Sequence, residues 1–349
     1  MLPPLKLKPG ATHCAKANHQ APTVLPNISK KDQLNDIQIQ HKPYAIHDHI
    51  TYRYEVLEVI GGGTYGQVYK CLDHKTKEMV AVKVLRFDSS ITTELKILNF
   101  LRKKDKDNCH NIIQMKEYFQ FRNQLCIVFE LLGPNLYDFM KKNNFKGFGL
   151  AQVHKIAKEL LKCMNILEQE KIIHSDLKPE NIVLEPKKRN GIKVIDFGLS
   201  CFEHLQEVPC VGTRTYCAPE VIVRKRCTTA IDMWSLACIL FELYTGQPLF
   251  YGEDEGDQMA CIMEVLGNPP ADYNSSRTEL FFDSMGRPIR RTDLSGRPRV
   301  PGSRNLANMF RRNDGLFVDF IKRCLTWDPK MRLTAKEALQ HEWIRKGPY

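Results

Sequence analysis

Two stretches decide the fold of this chain, "IIHSDLKPENIVLE" (172–185) and "IKVIDFGLS" (192–200). In the first, Asp176 and Asn181 stand in a short polar loop that follows an apolar strand. In the second, Asp196 ends a buried strand immediately before a Phe-Gly pair. Aspartate and asparagine oxygens are hard ligands suited to Mg²⁺, which prefers oxygen and brings phosphates with it. The two stretches therefore predict a centre that handles Mg²⁺ and phosphate.

A glycine-rich loop lies upstream of these stretches. The sequence "GGGTYGQV" (61–68) spells G-x-G-x-x-G-x-V through Gly61, Gly63 and Gly66. A dinucleotide-binding loop is the rival interpretation, but such a loop opens a helix after its strand. Here "QVYKCL" (67–72) continues as a strand, so the glycines are predicted to form a hairpin turn. Because glycine has no Cβ, the backbone of that turn can approach phosphates closely.

The glycine loop alone would fit an ordinary hairpin, but a predicted ion pair accompanies it. Lys83 alternates with Val82 and Val84 on the strand "MVAVKVL", so its ammonium group points to one face and needs an anion there. Glu94 is the candidate, because it shares a helical face with apolar residues in "ITTELKILNFLRKK" (91–104). Each charge by itself would suit a solvated surface. The occurrence of Lys83 and then Glu94 after the glycine loop favours an ion pair with a functional role.

Strand patterns dominate the first part of the chain and helix patterns the second. From Tyr52 three strands form a predicted antiparallel meander, followed by a helix and the strand "LCIVFELL" (125–132). The helix "AQVHKIAKELLKCMNILEQE" (151–170) then places five apolar residues on one stripe, namely Val153, Ile156, Leu160, Met164 and Leu167. These patterns predict an α+β fold with a small β-rich lobe and a larger helical lobe.

Composition limits the classes of function. The chain has 349 residues, of which 43% are apolar and 26% charged, as in a soluble globular protein. No apolar run reaches the ~18 residues of a membrane span, and the start lacks the apolar core of a signal peptide. A cytoplasmic protein is therefore expected, with the nucleus as a second location. Twelve cysteines without any C-x-x-C indicate reduced thiols. The net charge is +11, and the basic residues lie in short clusters separated by acidic residues, which favours a solvated surface over a nucleic-acid-binding one.

Further motifs show a resemblance to a known family. "CAPE" ends at Glu220, "DMWS" begins at Asp232, and "DPKMRL" contains Arg332, in the same order as the earlier motifs. Over residues 54–344 the chain resembles a eukaryotic protein kinase, and the likeness implies the bilobal protein-kinase fold with a Glu220–Arg332 salt bridge. The expected divisions are an arm at 1–53 that is mostly disordered, an N-terminal lobe at 54–131, a C-terminal lobe at 132–344 and a short tail at 345–349.

The resemblance also implies a role for each candidate site residue. Asp176 is expected to be the catalytic base, and Lys178, two residues later, is the residue typical of serine/threonine kinases. Lys83, paired with Glu94, is expected to hold the α- and β-phosphates of ATP. The expected Mg²⁺ ligands are Asn181 and Asp196.

Among protein kinases, the chain is similar to the dual-specificity tyrosine-regulated kinases, the DYRK family. The stretches that carry this likeness are "HDHITYRYEVLEVIG", "LRKKDKDN", "FELLGPNLYDFMKKNNF", "GIKVIDFGLSCFEH", "IDMWSLACILFELYTGQPLF" and "GEDEGDQ". By alignment with the family, Phe129 is the gatekeeper, Glu130 and Leu132 belong to the hinge, and Leu184 is the floor beneath adenine. The residues expected to contact ATP are Ile60, Gly61, Gly62, Gly63, Thr64, Tyr65, Gly66, Gln67, Val68, Ala81, Lys83, Phe129, Glu130, Leu132 and Leu184.

The activation segment departs from the family's pattern. There, a tyrosine becomes phosphorylated as the kinase matures, and that position falls on Cys210 in this chain. An arginine of the cluster that receives the phosphate falls on Cys217, whereas Arg214 remains. Ser175 stands where the family usually has cysteine and many kinases have arginine, and Thr213 is retained as the hydroxyl that steadies Asp176 and Lys178. Both cysteines therefore stand where a phosphotyrosine and an arginine partner are expected.

Physical chemistry makes this paired loss intelligible. A buried arginine that loses its phosphate is left as an uncompensated charge, which costs ~3–5 kcal/mol. Replacing both partners by less polar groups can be nearly neutral. A metal site or a disulfide at Cys210 and Cys217 is the alternative, although no second Cys/His pair completes a zinc site. The sequence thus favours a regulatory switch that has been lost.

The resemblance implies a protein kinase that transfers the γ-phosphate of Mg-ATP to serine or threonine of protein substrates. A weakly active pseudokinase or scaffold is the first alternative, and a nucleic-acid-binding protein is the second. Glu180 and Glu255 are expected to select substrates with an arginine upstream of the phosphorylated residue. A monomer without membrane or specific nucleic-acid partners is expected.

Overall fold

The computed structural model describes residues 43–63, 66–85, 90–186, 188, 191–206, 210–270, 273, 277–285, 287–311 and 314–347. Tyr44–Tyr349 forms one compact unit. Thr64 and Tyr65, both expected to contact ATP, lie outside the described residues, as does most of the arm predicted at 1–53.

The N-terminal lobe is built on an antiparallel sheet of six strands in the order β1-β2-β3-β4-β6-β5. The strands are β1 (His49–Ile50), β2 (Tyr54–Gly63), β3 (Gly66–Asp73), β4 (Glu78–Leu85), β5 (Met115–Phe121) and β6 (Gln124–Glu130). Side chains alternate across β4, so Val82 and Val84 are buried in a core on one face. Ala81 and Leu85 are buried in the second core, on the other face, and Lys83 shares that face because it alternates with the valines. The predicted meander and the direction of Lys83 are confirmed.

The folded lobe begins before Tyr54, where the sequence placed its boundary. Tyr44 is buried and packs edge-on against the Tyr69 ring, with the ring centroids 5.7 Å apart. Ile50 on β1 is fully buried and pairs with Tyr54 of β2. The prediction of an arm that ends at residue 53 is therefore wrong for the residues from Tyr44 onward. The apolar residues in this stretch are too few and irregular to indicate a strand.

Helix α1 (Ser90–Lys104) lies against the sheet and carries the predicted acid. Ile97, Leu98 and Leu101 are buried, and Glu94 on the same face is also buried. The periodicity read from the sequence is therefore that of the real packing face. The four residues that connect β4 to α1 lie outside the described part of the chain.

The C-terminal lobe is mainly helical in its described residues. Its helices are α2 (Leu136–Lys142), α3 (Leu150–Gln169), α4 (Pro219–Ile222), α5 (Ala230–Thr245), α6 (Glu255–Leu266), α7 (Gly315–Cys324), α8 (Ala335–Gln340) and α9 (Glu342–Lys346). All five residues of the predicted α3 stripe are buried. Helix α5 is buried on nearly every side, as expected for a central helix that is apolar all round. It ends at Gly246, whose φ of 79° is the left-handed conformation that glycine adopts readily.

Short strand pairs set the loops at the cleft. Strands β8 (Ile182–Glu185) and β9 (Gly191–Val194) pair antiparallel, with Ile182 opposite Val194. Because one strand starts where the other ends, the residues just before β8 and just after β9 meet at one end of the hairpin. The Ile195 amide donates to the Asn181 carbonyl at 2.9 Å, which fixes that meeting. Strands β7 (Ile172–Ile173) and β10 (Cys201–Phe202) pair in the same way on the flank.

Among the described residues, none of the helices combines the length and the apolar character needed to span a bilayer.

Candidate active site

A cavity of about 820 Å³ lies between the two lobes. This volume is within the range of small-molecule sites. Ten of the residues expected to contact ATP line it, namely Ile60, Gly61, Gly62, Gly66, Val68, Ala81, Lys83, Phe129, Glu130 and Leu132. The candidate metal ligands Asn181 and Asp196 line the same cavity, together with Glu94 and Glu180.

Three of the described residues expected at this cavity do not line it, namely Gly63, Gln67 and Leu184. Val183, and not Leu184, lines the cavity, so the prediction of Leu184 as its floor is wrong by one position. Successive side chains on a strand point to opposite faces, and a shift of one residue exchanges them. The same alternation explains Gln67, which does not line the cavity and instead accepts a hydrogen bond from the Tyr69 hydroxyl.

The ion pair predicted from the sequence is formed. The Lys83 Nζ lies 2.7 Å from Glu94 Oε1 and 2.9 Å from Asp196 Oδ1. Burial works against the charge of the ammonium group, but the two carboxylates outweigh it and raise the pKa of Lys83. Likewise, burial opposes ionisation of Asp196, yet Lys83 keeps the pKa of that carboxyl below its ordinary value. Lys83 and Asp196 are therefore both charged at neutral pH.

Asp176 is held by three neighbours. Its Oδ1 accepts hydrogen bonds from the Thr213 hydroxyl at 2.7 Å and from the Thr213 amide at 2.9 Å. Its Oδ2 accepts from Lys178 Nζ at 2.7 Å, and Lys178 also donates to Thr213 Oγ1 at 3.0 Å. Asn181 Nδ2 donates to the Asp176 carbonyl at 2.9 Å. The expectation that Thr213 steadies Asp176 and Lys178 agrees with this geometry.

Strained backbone accompanies the catalytic loop. Ser175 has a φ of 73° and Asp196 a φ of 62°, which are unusual values for residues other than glycine. The Ser175 conformation is held by Asp232, whose two carboxylate oxygens accept from the His174 amide at 2.8 Å and the Ser175 amide at 3.0 Å. Complete burial raises the pKa of Asp232 to about 7. A strained loop beside a fixed acceptor is the kind of preorganisation found at active sites.

The hinge residue Glu130 is held by an interaction that the sequence did not indicate. Its carboxylate pairs with Lys193 on β9, a lysine whose side chain is fully buried. Lys193 Nζ also donates to Asn108 Oδ1 at 2.6 Å, and Glu130 Oε1 accepts from the Gln114 amide at 2.9 Å. The partners come from distant parts of the chain, so no local motif could have revealed this contact.

The activation segment contains thiols instead of charges. Cys210 is buried, and its Sγ lies 2.9 Å from Gln206 Nε2 and within hydrogen-bond reach of the Cys201 and Cys227 thiols. A hydrogen bond with Cys201 favours the thiolate, but the contact with Cys227 and burial outweigh it and raise the pKa of Cys210 to about 12. Burial likewise raises the pKa of Cys217 to about 12. Both cysteines are neutral thiols outside any disulfide, and among the described residues neither belongs to a cluster with the geometry of a metal site.

Arg214, the arginine retained from the family's cluster, is engaged away from Cys210. Its Nη1 donates to the carbonyls of Gly252 and Glu253, at 3.2 and 2.5 Å. Besides the Thr213 contacts with Asp176 and Lys178, a hydrogen bond between uncharged groups attaches the segment to the catalytic loop. The Ser175 hydroxyl donates to the Val211 carbonyl at 2.7 Å.

Gly212 permits that close attachment of the segment. A Cβ at Gly212 would lie 2.4 Å from the Ser175 carbonyl oxygen, so any larger residue would push the segment away.

The two acids expected to select substrate differ in their surroundings. Glu255 is already paired, because its Oε2 accepts from Arg277 Nη2 at 2.6 Å. Glu180 lines the cleft, and its Oε2 is buried without a hydrogen-bond partner among the described residues. A further acid, Glu242, was missed by the sequence. Glu242 is buried and accepts a hydrogen bond from the Tyr216 hydroxyl at 2.7 Å. Burial raises the pKa of Glu242, and the nearby charge of Glu180 adds to that increase.

The expected Glu220–Arg332 salt bridge is present and bidentate. Arg332 Nη1 lies 2.7 Å from Glu220 Oε1, and Nη2 lies 3.1 Å from Oε2. Both side chains are buried, so the pair ties the end of the activation segment to the helical core.

A family model for the protein kinase domain matches residues 54–344. The match covers most of the chain and includes the Lys83–Glu94 pair, the Asp176 loop and the activation segment. The chain therefore belongs to the protein kinase family, and the predicted bilobal protein-kinase fold is confirmed.

The relatives of this chain identify the branch of that family. It is 54% identical over 309 residues to human dual specificity tyrosine-phosphorylation-regulated kinase 4, a match that covers 87% of this chain and 59% of the relative. It is 50% identical to Drosophila melanogaster dual specificity tyrosine-phosphorylation-regulated kinase 2, over 86% of this chain and 42% of the relative. Rat dual specificity tyrosine-phosphorylation-regulated kinase 3 is 47% identical, over 86% of this chain and 55% of the relative. The predicted DYRK resemblance is confirmed, and the chain spans roughly half the length of these relatives.

Proposed function

We propose that this chain transfers the γ-phosphate of ATP, with Mg²⁺, to serine or threonine of protein substrates. The observation that carries the proposal is that Lys83, Glu94, Asn181 and Asp196 line one cleft, and that Asp176 is joined to this group by a hydrogen bond from Asn181. Phosphoryl transfer relies on positioning and electrostatic stabilisation, and these residues supply both.

The cleft fits Mg-ATP. Asn181 uses its amide nitrogen to hold the Asp176 carbonyl, which leaves its amide oxygen as the group available to a hard cation. The Asp196 carboxylate is enclosed between the lobes but open to the cavity, and it is ionised, so it suits the same cation. Beside it, Gly198 leaves space, because a Cβ there would lie 3.2 Å from Asp196 Oδ1. When bound, ATP supplies the phosphoryl group, and Mg²⁺ neutralises the charge of its phosphates; Asn181 and Asp196 would hold the cation, and Lys83 the phosphates.

Asp176 is oriented to receive a proton from the substrate hydroxyl. Thr213 holds Oδ1 and Lys178 holds Oδ2, so the carboxylate cannot rotate freely. The ammonium of Lys178, held beside Asp176, would stabilise negative charge that collects during transfer. Lys178 is also consistent with serine or threonine as the acceptor.

We propose further that the enzyme does not depend on a phosphotyrosine in its activation segment. Cys210 occupies the position of the family's phosphorylated tyrosine, within a buried group of thiols. Tyr216 follows, but its side chain is buried and its hydroxyl donates to Glu242. The Ser175–Val211 and Thr213–Asp176 hydrogen bonds support the segment in place of a charged clamp.

Substrate selection is proposed to rest on Glu180 more than on Glu255. A buried carboxylate oxygen without a partner is costly, and an arginine from a substrate would satisfy it. Glu255 is already engaged by Arg277, so an incoming arginine must compete for it. The proposal is a preference for arginine upstream of the phosphorylated serine or threonine.

The experiment that tests the proposed activity is γ-phosphate transfer to a degenerate peptide library, with Asp176→Asn as the control. Transfer by the wild type and its loss in the variant would support the enzyme. Equal phosphate incorporation by the two proteins would overturn it and leave the scaffold as the better account. The expected cytoplasmic location, with the nucleus as a second site, and the expected monomeric state stay predictions.

A further inference from the structure

A cluster of histidines on the N-terminal lobe has no part in the proposed phosphoryl transfer. His49 lies on β1, Glu55 on β2, and His74 directly after β3. One ligand atom from each of these three residues lies within 4.8 Å of the others. We propose that His49, Glu55 and His74 form a binding site for a divalent transition metal, with Zn²⁺ as the favoured ion.

The backbone brings the three residues together. His49 stands directly opposite Glu55 in the β1–β2 pairing. The His74 amide donates to the Arg53 carbonyl at 3.0 Å, which holds the turn after β3 against the start of β2. The rings of His49 and His74 then lie side by side, with centroids 5.5 Å apart and planes tilted by 32°. The backbone positions of the three residues are therefore set by the β1–β2 register and by the hydrogen bond between His74 and Arg53.

The protonation of His49 suits a metal ligand. Its Nδ1 lies 3.1 Å from the His47 carbonyl oxygen. A carbonyl oxygen only accepts hydrogen bonds, so Nδ1 carries the proton and Nε2 presents a lone pair. Metal-binding histidines commonly donate their other ring N–H to a backbone carbonyl in this way.

Glu55 is held from both sides by imidazoles. Its Oε2 lies 2.7 Å from His74 Nε2, and its Oε1 lies 2.8 Å from His47 Nδ1. A bound metal takes the place of the proton between Glu55 and His74, and that proton passes to solvent. His47 remains on the other oxygen and acts as a positioning residue, which orients the carboxylate toward the ion.

The chemistry of the donors favours zinc over the Mg²⁺ of the cleft. Two imidazole nitrogens with one carboxylate oxygen form a set typical of Zn²⁺, whereas Mg²⁺ prefers oxygen alone. Three protein ligands leave the fourth zinc position to water. Because the ligands come from three segments, the metal would fasten the β1 hairpin and the β3–β4 turn to β2, the strand that leads into the glycine loop.

The test is a Zn²⁺ titration of the full chain, stripped of metal with a chelator, in competition with a chromophoric chelator. One equivalent of zinc is expected to bind, and His49→Ala and His74→Ala are each expected to weaken binding by more than ~100-fold. His47→Ala is expected to weaken it by about 10-fold without changing the stoichiometry, as for a partner that only orients a ligand. Circular dichroism without metal confirms that each variant is folded.

The matched control lies at the second cluster of possible ligands, Asp105, Cys109 and His110. The double variant Cys109→Ser with His110→Ala is expected to leave the zinc affinity unchanged. X-ray absorption at the zinc edge is expected to show only nitrogen and oxygen neighbours. Absence of stoichiometric zinc binding, a zinc affinity of His49→Ala or His74→Ala equal to that of the wild type, or sulfur in the zinc shell would each overturn the proposal.

Discussion

The catalytic loop around Asp176 and the activation segment around Cys210 contact each other, yet the interactions that hold them differ in charge. Around Asp176, the contacts are charged, with Lys178 at 2.7 Å from its carboxylate. Around Cys210, the contacts come from thiols and an amide, and the nearest arginine of the family cluster, Arg214, is turned to backbone carbonyls. Under the proposed function, the chain keeps charged contacts where phosphate would be handled and has thiols where a regulatory phosphate would otherwise bind.

The largest effect is expected from a change in the charged contacts around Asp176. Asp176→Asn removes the proton acceptor but keeps the shape, so the transfer rate is expected to fall by roughly 10²- to 10⁴-fold. The measurement is the initial rate of labelled γ-phosphate transfer to the best library peptide. The melting temperature should stay within a few degrees of the wild-type value. A rate within a factor of ten of the wild type would contradict the assignment of Asp176.

Asp196→Asn separates metal capture from proton transfer. Wild-type protein is expected to gain thermal stability with Mg-ATP, because a ligand that binds only the folded state stabilises it. Asp176→Asn should keep that gain, whereas Asp196→Asn should lose most of it. Equal gains in the two variants would remove Asp196 from the metal site.

The next effect concerns the activation segment, where thiols stand in place of charged groups. Cys217→Arg introduces a cation beside Arg214 without a phosphate to neutralise it, at a site where burial keeps the native thiol neutral. We expect the free energy of unfolding to fall by about 3 kcal/mol, as for a buried charge that lacks its partner. Chemical denaturation measures the change. Cys217→Ser is the matched control and should cost about 1 kcal/mol or less; equal stability of the arginine and serine variants would contradict this account.

Restoring both family residues tests whether a phosphotyrosine can neutralise the introduced arginine. In Cys210→Tyr with Cys217→Arg, the arginine has a prospective phosphate partner, so phosphate on the introduced tyrosine should recover part of the lost stability. The comparison is between the double variant before and after phosphatase treatment. No difference in melting temperature would show that the clamp cannot be rebuilt at this position.

The sequence predicted the charged centre better than its surroundings. Lys83 and Glu94 belong to short motifs that strand and helix patterns identify, so their pairing could be predicted. That Asp196 serves the same site followed from the resemblance to protein kinases. The Glu130–Lys193 and Glu255–Arg277 pairs join residues far apart in the chain, and no local pattern marks either partner.

Errors of one position on a strand have a different cause. Leu184 and Val183 are both apolar and adjacent on β8, so hydrophobicity could not say which of them faces the cleft. The start of the fold near Tyr44 was missed because β1 is only two residues long. Short strands carry too little periodicity to be recognised.

A smaller effect is expected on peptide selection. Glu180→Gln removes the charge that is proposed to receive an upstream arginine, so the preference for arginine over alanine should fall about 10-fold, equivalent to ~1.4 kcal/mol. The measurement is the ratio of kcat/KM for two peptides that differ only at that position. Glu255→Gln is the matched control and should change the ratio less, because Arg277 already occupies that carboxylate. A larger effect of Glu255→Gln would reverse the assignment.

The smallest effect tests the attachment of the segment. Ser175→Ala removes one hydrogen bond to the Val211 carbonyl, so the unfolding free energy should fall by about 1 kcal/mol. Protease cleavage between residues 205 and 212 should become faster, and the transfer rate should fall only a few-fold. Unchanged cleavage would show that Ser175 does not hold the segment.

The central claim is that the charged centre works without a phosphotyrosine in the activation segment, and one measurement tests it most directly. Purified active protein is divided, one half is treated with a tyrosine phosphatase, and both halves are examined by peptide mass spectrometry and by the transfer assay. We expect no stoichiometric phosphate on Tyr216 and equal transfer rates in the two halves. Stoichiometric phosphate on Tyr216, with activity lost after the phosphatase, would contradict it.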